Sequence, residues 1–287
     1  MAAYTRVLCL ELAVLLALCG LGRSANVRAQ RKPASEPALP AGWLKYPTPM
    51  EGSLALECGN YSDHSWQVSL SNGSVEIDPV SSPGAKGEEI ELPPKMKAER
   101  GMSGHESMWK LPDGWLLGFD HGDFGGGLWR TNDDGSVSRK LLNENVKKIL
   151  PAAQGVLVLT GIVHLRFDTG RAYTFSSDEV HLLVDLDGSP QAALREPSGT
   201  VLVATTHSIS RIDEAGAVTA LVRDPFSLLY PNSMVVTPDG LIYVGMRMYV
   251  MRLLPGAHGY QQEWLIPDNC RKFSVVGFNC VCQGTGK

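Results

Sequence analysis

The sequence lacks the short signatures that announce many catalytic centres. It contains no Gly-x-Ser-x-Gly elbow, the nearest approach being Gly101-Met102-Ser103-Gly104-His105. It has no His-Glu-x-x-His, no Cys-x-x-Cys and no dinucleotide fingerprint. The glycine triplet Gly125-Gly126-Gly127 is not followed by Gly-Lys-Ser/Thr, which excludes a phosphate loop. A basic excess is also missing: 26 Lys and Arg stand against 30 Asp and Glu, a net charge of −4, so the composition gives no support to a nucleic-acid partner. Beyond the N-terminal region no apolar run approaches the ~20 residues that cross a bilayer, so no membrane span is expected in the mature chain. What remains is a binding protein, or an enzyme whose site is assembled from distant parts of the chain.

The N-terminus reads as a targeting segment. Arg6 supplies a positive start, Val7 to Leu18 is apolar except for Glu11, and Val27-Arg28-Ala29 offers a small-residue cleavage site. Residues 1–29 are therefore expected to be a signal peptide and the protein to be secreted or periplasmic, with an uncleaved anchor as the alternative. Leu18 stands where a small residue would precede a lipidated cysteine, which argues against a lipoprotein at Cys19. Residues 30–41 form a Pro/Ala-rich linker. The mature chain keeps Cys58, Cys270, Cys280 and Cys282. An even count in an exported protein points to disulfides, and three full pairings are open. One bond from Cys58 to the C-terminal tail would pin the ends of a closed ring.

Thirty glycines and 18 prolines imply many turns. From Trp43 onward one pattern recurs: a short strand, a turn ending in Gly, an apolar strand, a second turn and another strand. The marker glycines are Gly52, Gly114, Gly155, Gly199 and Gly240, with a first separation of 62 residues and then 41, 44 and 41. The first gap leaves room for an insertion. Second turns follow at Gly73, Gly135, Gly170 and Gly216. Asn-Gly and Asp-Gly suit hairpins because both central residues need positive φ. A period of this size is the mark of a propeller blade, since a four-stranded unit cannot bury both faces alone. In the clearest unit the strands are expected at 233–237, 241–245, 249–253 and 262–266. The fold class is therefore all-β: a β-propeller of five or six four-stranded blades over residues 42–287, with a cysteine-containing tail. A β-sandwich is the alternative for regularly spaced short strands. The segment 272–278 is a candidate for an extra strand that closes the ring.

The run from Tyr230-Pro231-Asn232-Ser233 through Pro238-Asp239-Gly240 to Val244-Gly245 resembles a blade of the NHL and SMP-30 (gluconolactonase)-like β-propellers. The resemblance is at blade level, with looser copies over most of 43–266. It implies strands a to d running outward from the axis, so that b–c turns and d–a connections share one end. Shared fold is weak evidence for shared chemistry.

That order collects Asp63, His64, His121, Asp123, His207 and Arg247 on b–c turns. It puts His105, Glu106, Asn143, Glu144, Asn145, Asp224 and Asn232 on d–a connections. A ligand-binding face of Asp63, His64, His121, Asp123, Asn145, His207 and Arg247 is expected, against the alternative of ordinary solvated loops. Eight residues before each marker glycine, at the channel mouth, stand Leu44, Glu106, Lys147, Gln191 and Asn232. Glu106, Gln191 and Asn232 offer oxygen to a hard cation such as Ca²⁺, as lactonase-like propellers imply, while Lys147 opposes a metal there. The loop 121–129 is either a ligand loop flanked by His121 and Asp123 or a tight turn with a bulge.

Two functions follow. The first is a non-enzymatic exported propeller that binds an unknown protein or small-molecule ligand through its loop-rich end. The second is a metal-dependent lactonase or esterase, with Glu106, Gln191 and Asn232 around the cation and His105 or His121 as general base.

Overall fold

The computed structural model describes residues 37–80, 104–153, 155–223, 226, 229–257 and 259–269. The leader, most of the linker, Asp224, the segment 272–278 and Cys270, Cys280 and Cys282 lie outside the described residues, so the expectations placed on them are not addressed by it.

Among the described residues the strands form five antiparallel sheets. A two-stranded sheet pairs β2 (Trp66–Ser71) with β3 (Ser74–Pro79). Next come four meandering strands, β4 (His105–Leu111), β5 (Gly114–Asp120), β6 (Gly126–Thr131) and β7 (Ser138–Leu142). The third sheet holds β8 (Val146–Pro151), β9 (Val156–His164), β10 (Phe167–Ser176) and β11 (Glu179–Leu186). The fourth holds β12 (Pro190–Arg195), β13 (Val201–Thr205), β14 (Ser208–Ile212) and β15 (Val218–Arg223). The fifth runs β16 (Ser233–Val236), β17 (Ile242–Gly245), β18 (Val250–Gly256) and β19 (Gly259–Pro267), and then takes β1 (Trp43–Tyr46) from the other end of the chain as its outermost strand.

Side-chain alternation shows how the sheets stack. Successive residues of a strand point to opposite faces. In β9, Val156 and Val158 pack with Leu116 and Leu128 of the second sheet, whereas Leu157 and Leu159 pack with Val201 and Val203 of the fourth. In β13, Leu202 and Ala204 pack instead with Ile242 and Val244 of the fifth. In β17, Tyr243 joins Val68 of the first. Each middle strand is thus buried on both faces, which is why it reads as an unbroken apolar run. The first strand of every sheet, β2, β4, β8, β12 and β16, lines one shared cavity. Sheets stacked face to face around a common axis are a β-propeller, as the period implied.

Three details differ from the sequence reading. Gly52 is not an a–b turn; the chain there enters a helix, α1 (Leu54–Tyr61). Ser53 caps it by accepting from Leu56 N–H at 3.2 Å, and its buried face of Leu56, Cys58 and Gly59 rests on the fifth blade. The true first marker is Gly73, in the β2–β3 hairpin, with Asn72 and Gly73 both at positive φ. Gly73 and Gly114 lie 41 residues apart, so the period holds without an insertion. Leu44 consequently sits on β1, far out on the fifth blade, and the channel position of the first blade belongs to Ser65. Gly170 lies inside β10 rather than in a turn.

Candidate functional site

The central cavity has a volume of about 580 Å³ and draws polar side chains from every blade. β2 contributes Gln67; β4 contributes His105, Glu106 and Ser107; β8 contributes Lys147 and Lys148; β12 contributes Gln191; and Asn232 and Ser233 stand at the start of β16. Glu106, Lys147, Gln191 and Asn232 thus share one cavity, as the eight-residue register expected, whereas Leu44 does not reach it.

Hydrogen bonds arrange this mouth. Lys147 Nζ donates to Asp120 Oδ2 at 2.7 Å, and the other oxygen of buried Asp120 accepts from Gly122 N–H at 3.0 Å. The positive charge that opposes a cation is therefore neutralised by a carboxylate that sequence spacing did not identify. Asn232 is held at both ends of its amide: Nδ2 donates to Ser65 Oγ at 2.9 Å, and Oδ1 accepts from Ser233 Oγ at 2.8 Å. Gln191 donates through Nε2 to Ser189 and keeps its Oε1 without a hydrogen-bond partner among the described residues. His105 is exposed and pairs with Asp120 across β4 and β5. Among the described residues no three His, Cys, Asp or Glu side chains converge as a metal cluster.

The expected ligand face separates into parts. His207 and Arg247 lie on b–c turns, as expected. Asp63 and His64 do not; they follow α1 and precede β2, which still leaves them at the same end. His207 Nε2 lies 3.0 Å from Asp168 Oδ2, which also accepts from Thr206 Oγ1 at 2.6 Å. Arg247 stacks over Tyr230 at 4.3 Å. His121 and Asn145 are buried rather than presented: His121 stacks on Phe119 with ring centroids 5.8 Å apart. Both ring nitrogens of His121 and the Oδ1 of Asn145 have no hydrogen-bond partner among the described residues.

The glycine-rich loop is a turn shaped by packing. Gly125 has φ of 90°, and a Cβ on Gly126 would lie 2.3 Å from Phe119 O and 2.6 Å from Asn145 Oδ1. Gly122–Phe124 form one 3-10 turn, closed by His121 N–H donating to Gly125 O at 2.8 Å. Beside it lies a second cavity of about 220 Å³, between the second and third blades, lined among others by Asp123, Glu144, Asn145 and Arg171. Glu144 accepts from Thr160 Oγ1 at 2.6 Å, Arg171 Nη1 at 2.6 Å and Tyr173 OH at 2.8 Å. Burial pushes its carboxyl upward, but these three donors and the Arg171 charge outweigh it and hold Glu144 below the usual carboxylate range. Asp123 pairs with His164 Nδ1 at 2.7 Å, tying this loop to the neighbouring hairpin. A third cavity, of about 290 Å³, opens at the opposite end between Ala152, Leu183, Val201 and Glu214.

No protein-family model matches the sequence. No curated protein matches it either. Among solved structures, a protein from Lactobacillus plantarum is 12% identical, with 72% of this chain covering 67% of that one at a TM-score of 0.42. Virginiamycin B lyase from Staphylococcus aureus is 10% identical, with 77% of this chain covering 86% of that one at a TM-score of 0.39. A gluconolactonase from Xanthomonas campestris is 13% identical, with 53% of this chain covering 68% of that one at a TM-score of 0.31. These likenesses are too remote to carry an activity, and the propeller rests on the chain's own sheets.

Proposed function

We propose that the protein is a binding propeller that holds a hydrophilic ligand, or a polar segment of a partner protein, in the channel mouth at its loop-rich end. The observation that carries this reading is the shared cavity of about 580 Å³, to which all five inner strands bring polar side chains. Small-molecule sites are concave and use a few convergent polar groups for orientation. Here the amides of Gln67, Gln191 and Asn232 and the charges of Glu106 and Lys147 supply them. The test is a thermal-shift screen of sugars, sugar acids, lactones and short peptides. A hydrophilic class should raise Tm, and Gln191→Leu should abolish the rise. No shift from any class would overturn the reading.

A second reading keeps the same cavity and adds chemistry. Glu106, Gln191 and Asn232 open on it together with His105, so a cation such as Ca²⁺ would sit among oxygen donors beside an imidazole. Such a cation would polarise a lactone or ester carbonyl, with His105 accepting the proton of the attacking water. His121, buried against Phe119, serves this role less well. Metal content of the purified protein decides: stoichiometric metal that is lost in Glu106→Ala favours the hydrolase, and its absence at saturating Ca²⁺ removes it.

Export belongs to the same proposal, to the periplasm or the medium. So does a disulfide from the buried Cys58 to a cysteine of the tail. A mature N-terminus at Gln30 and a non-reduced mass lower than the reduced one would support both.

A further inference from the structure

The β9–β10 hairpin breaks the rules of its own turn. Only Leu165 and Arg166 connect paired His164 and Phe167, and Leu165 takes a φ of 50°. Left-handed turn positions favour Gly, Asn or Asp, because a Cβ crowds the following carbonyl. A leucine there is strained, and this one is also 92% exposed, so neither backbone nor core asks for it. Phe167 is 68% exposed on the same hairpin, and Phe124 is 78% exposed at the tip of the adjoining 3-10 turn. The Asp123–His164 pair clamps the two tips side by side. Strain and exposed apolar surface that local folding does not need mark a functional surface.

Charge narrows the occupant. Arg166 stands exposed between Leu165 and Phe167 and forms no ion pair among the described residues. Two acids close by in these turns are already engaged, Asp123 by His164 and Asp168 by His207 and Thr206. A lone cation set among apolar tips complements an anionic group flanked by apolar ones. A bilayer fits less well: membrane attachment draws on several basic residues, and this chain is acidic overall, with a net charge of −4. A polar cavity also lies beside the 3-10 turn, lined by Asp123, Asn145 and Arg171, which lipid would leave unfilled and a peptide backbone would not.

We propose that Phe124, Leu165, Arg166 and Phe167 form a docking surface for a partner protein, whose recognised segment carries an acidic residue beside apolar side chains. This surface is separate from the channel mouth and does not rest on what the channel binds.

The test is selection from a displayed library of random peptides against the intact protein. Enriched peptides are expected to carry Asp or Glu next to Leu, Phe or Trp. Leu165→Asn, which suits the left-handed position and stays folded, should weaken them about tenfold, the scale of a lost interface anchor. Arg166→Glu should do the same, and Gln191→Leu in the channel should leave them unchanged. No enrichment, enrichment without that pattern, or undiminished binding to Leu165→Asn would overturn the proposal. So would binding to anionic phospholipid vesicles in place of peptides, or self-association that Leu165→Asn abolishes.

Discussion

Single residues set local constraints that can be tested one at a time. Gly59 sits on α1 where a Cβ would lie 2.5 Å from Leu229 Cδ2 and 2.9 Å from Tyr249 Cε2. Gly59→Ala should therefore overpack this seam and cost about 1–3 kcal/mol, read from the denaturant midpoint. Leu165→Asn should move the other way. Relief of the left-handed strain at φ 50° should raise stability by up to about 1–2 kcal/mol, seen as a higher Tm. Glu144 makes stability depend on pH. Its folded pKa lies below its unfolded value, so its contribution is complete above about pH 4.3 and disappears as the pH falls through the depressed folded value. Urea midpoints of the parent and Glu144→Gln should differ most at neutral pH and converge in acid. Equal separation at every pH would show that Glu144 is not held ionised by its donors.

At the scale of elements, the fifth blade depends on a strand from the far end of the chain. β1 pairs with β19 through Trp43↔Pro267 to Tyr46↔Trp264. Its Lys45 Nζ reaches Glu263 Oε1 at 2.5 Å, while Glu263 Oε2 accepts from the fully buried Arg252 Nε at 2.7 Å. Glu263 thus joins an inner guanidinium to the closing strand. Removing one partner of a buried pair leaves the other uncompensated, which costs about 3–5 kcal/mol. Glu263→Ala should show that loss in chemical denaturation, and Lys45→Ala much less, because Lys45 is half exposed. Deleting β1 should unpair the β19 edge, giving faster proteolysis near residues 259–267. The repeating middle strands were legible in the sequence because turn glycines bracket apolar runs. Helix α1 was not, because its eight residues carry a short apolar pattern between two turn-like segments.

For the whole molecule, the channel is where separate blades become one site. No blade holds more than a few of its polar groups, and the register that collects them comes from the repeat. Four of the five positions expected at the mouth, Glu106, Lys147, Gln191 and Asn232, do line the cavity. The fifth went astray because Gly52 and Gly73 are equally good turn glycines and only the hairpin pairing distinguishes them. Once Gly73 is the marker, Ser65 takes the first position, within 2.9 Å of Asn232 Nδ2.

The repeat period and the buried strands follow from local order, while the sharing of one end by the polar loops is what the resemblance to NHL and SMP-30-like blades implies. Turn glycines and apolar runs act over a few residues, and a repeating unit with two apolar faces has to stack. The pairings that give the site its character do not follow from local order. Lys147 with Asp120 and Glu144 with Arg171 join residues 27 apart, and Arg252 with Glu263 joins neighbouring strands. A charge's partner is chosen by distance in space, across blades whose faces meet only after folding. The same holds for Leu165, which reads as ordinary apolar sequence and becomes conspicuous only where the backbone turns left-handed and no neighbouring blade covers it.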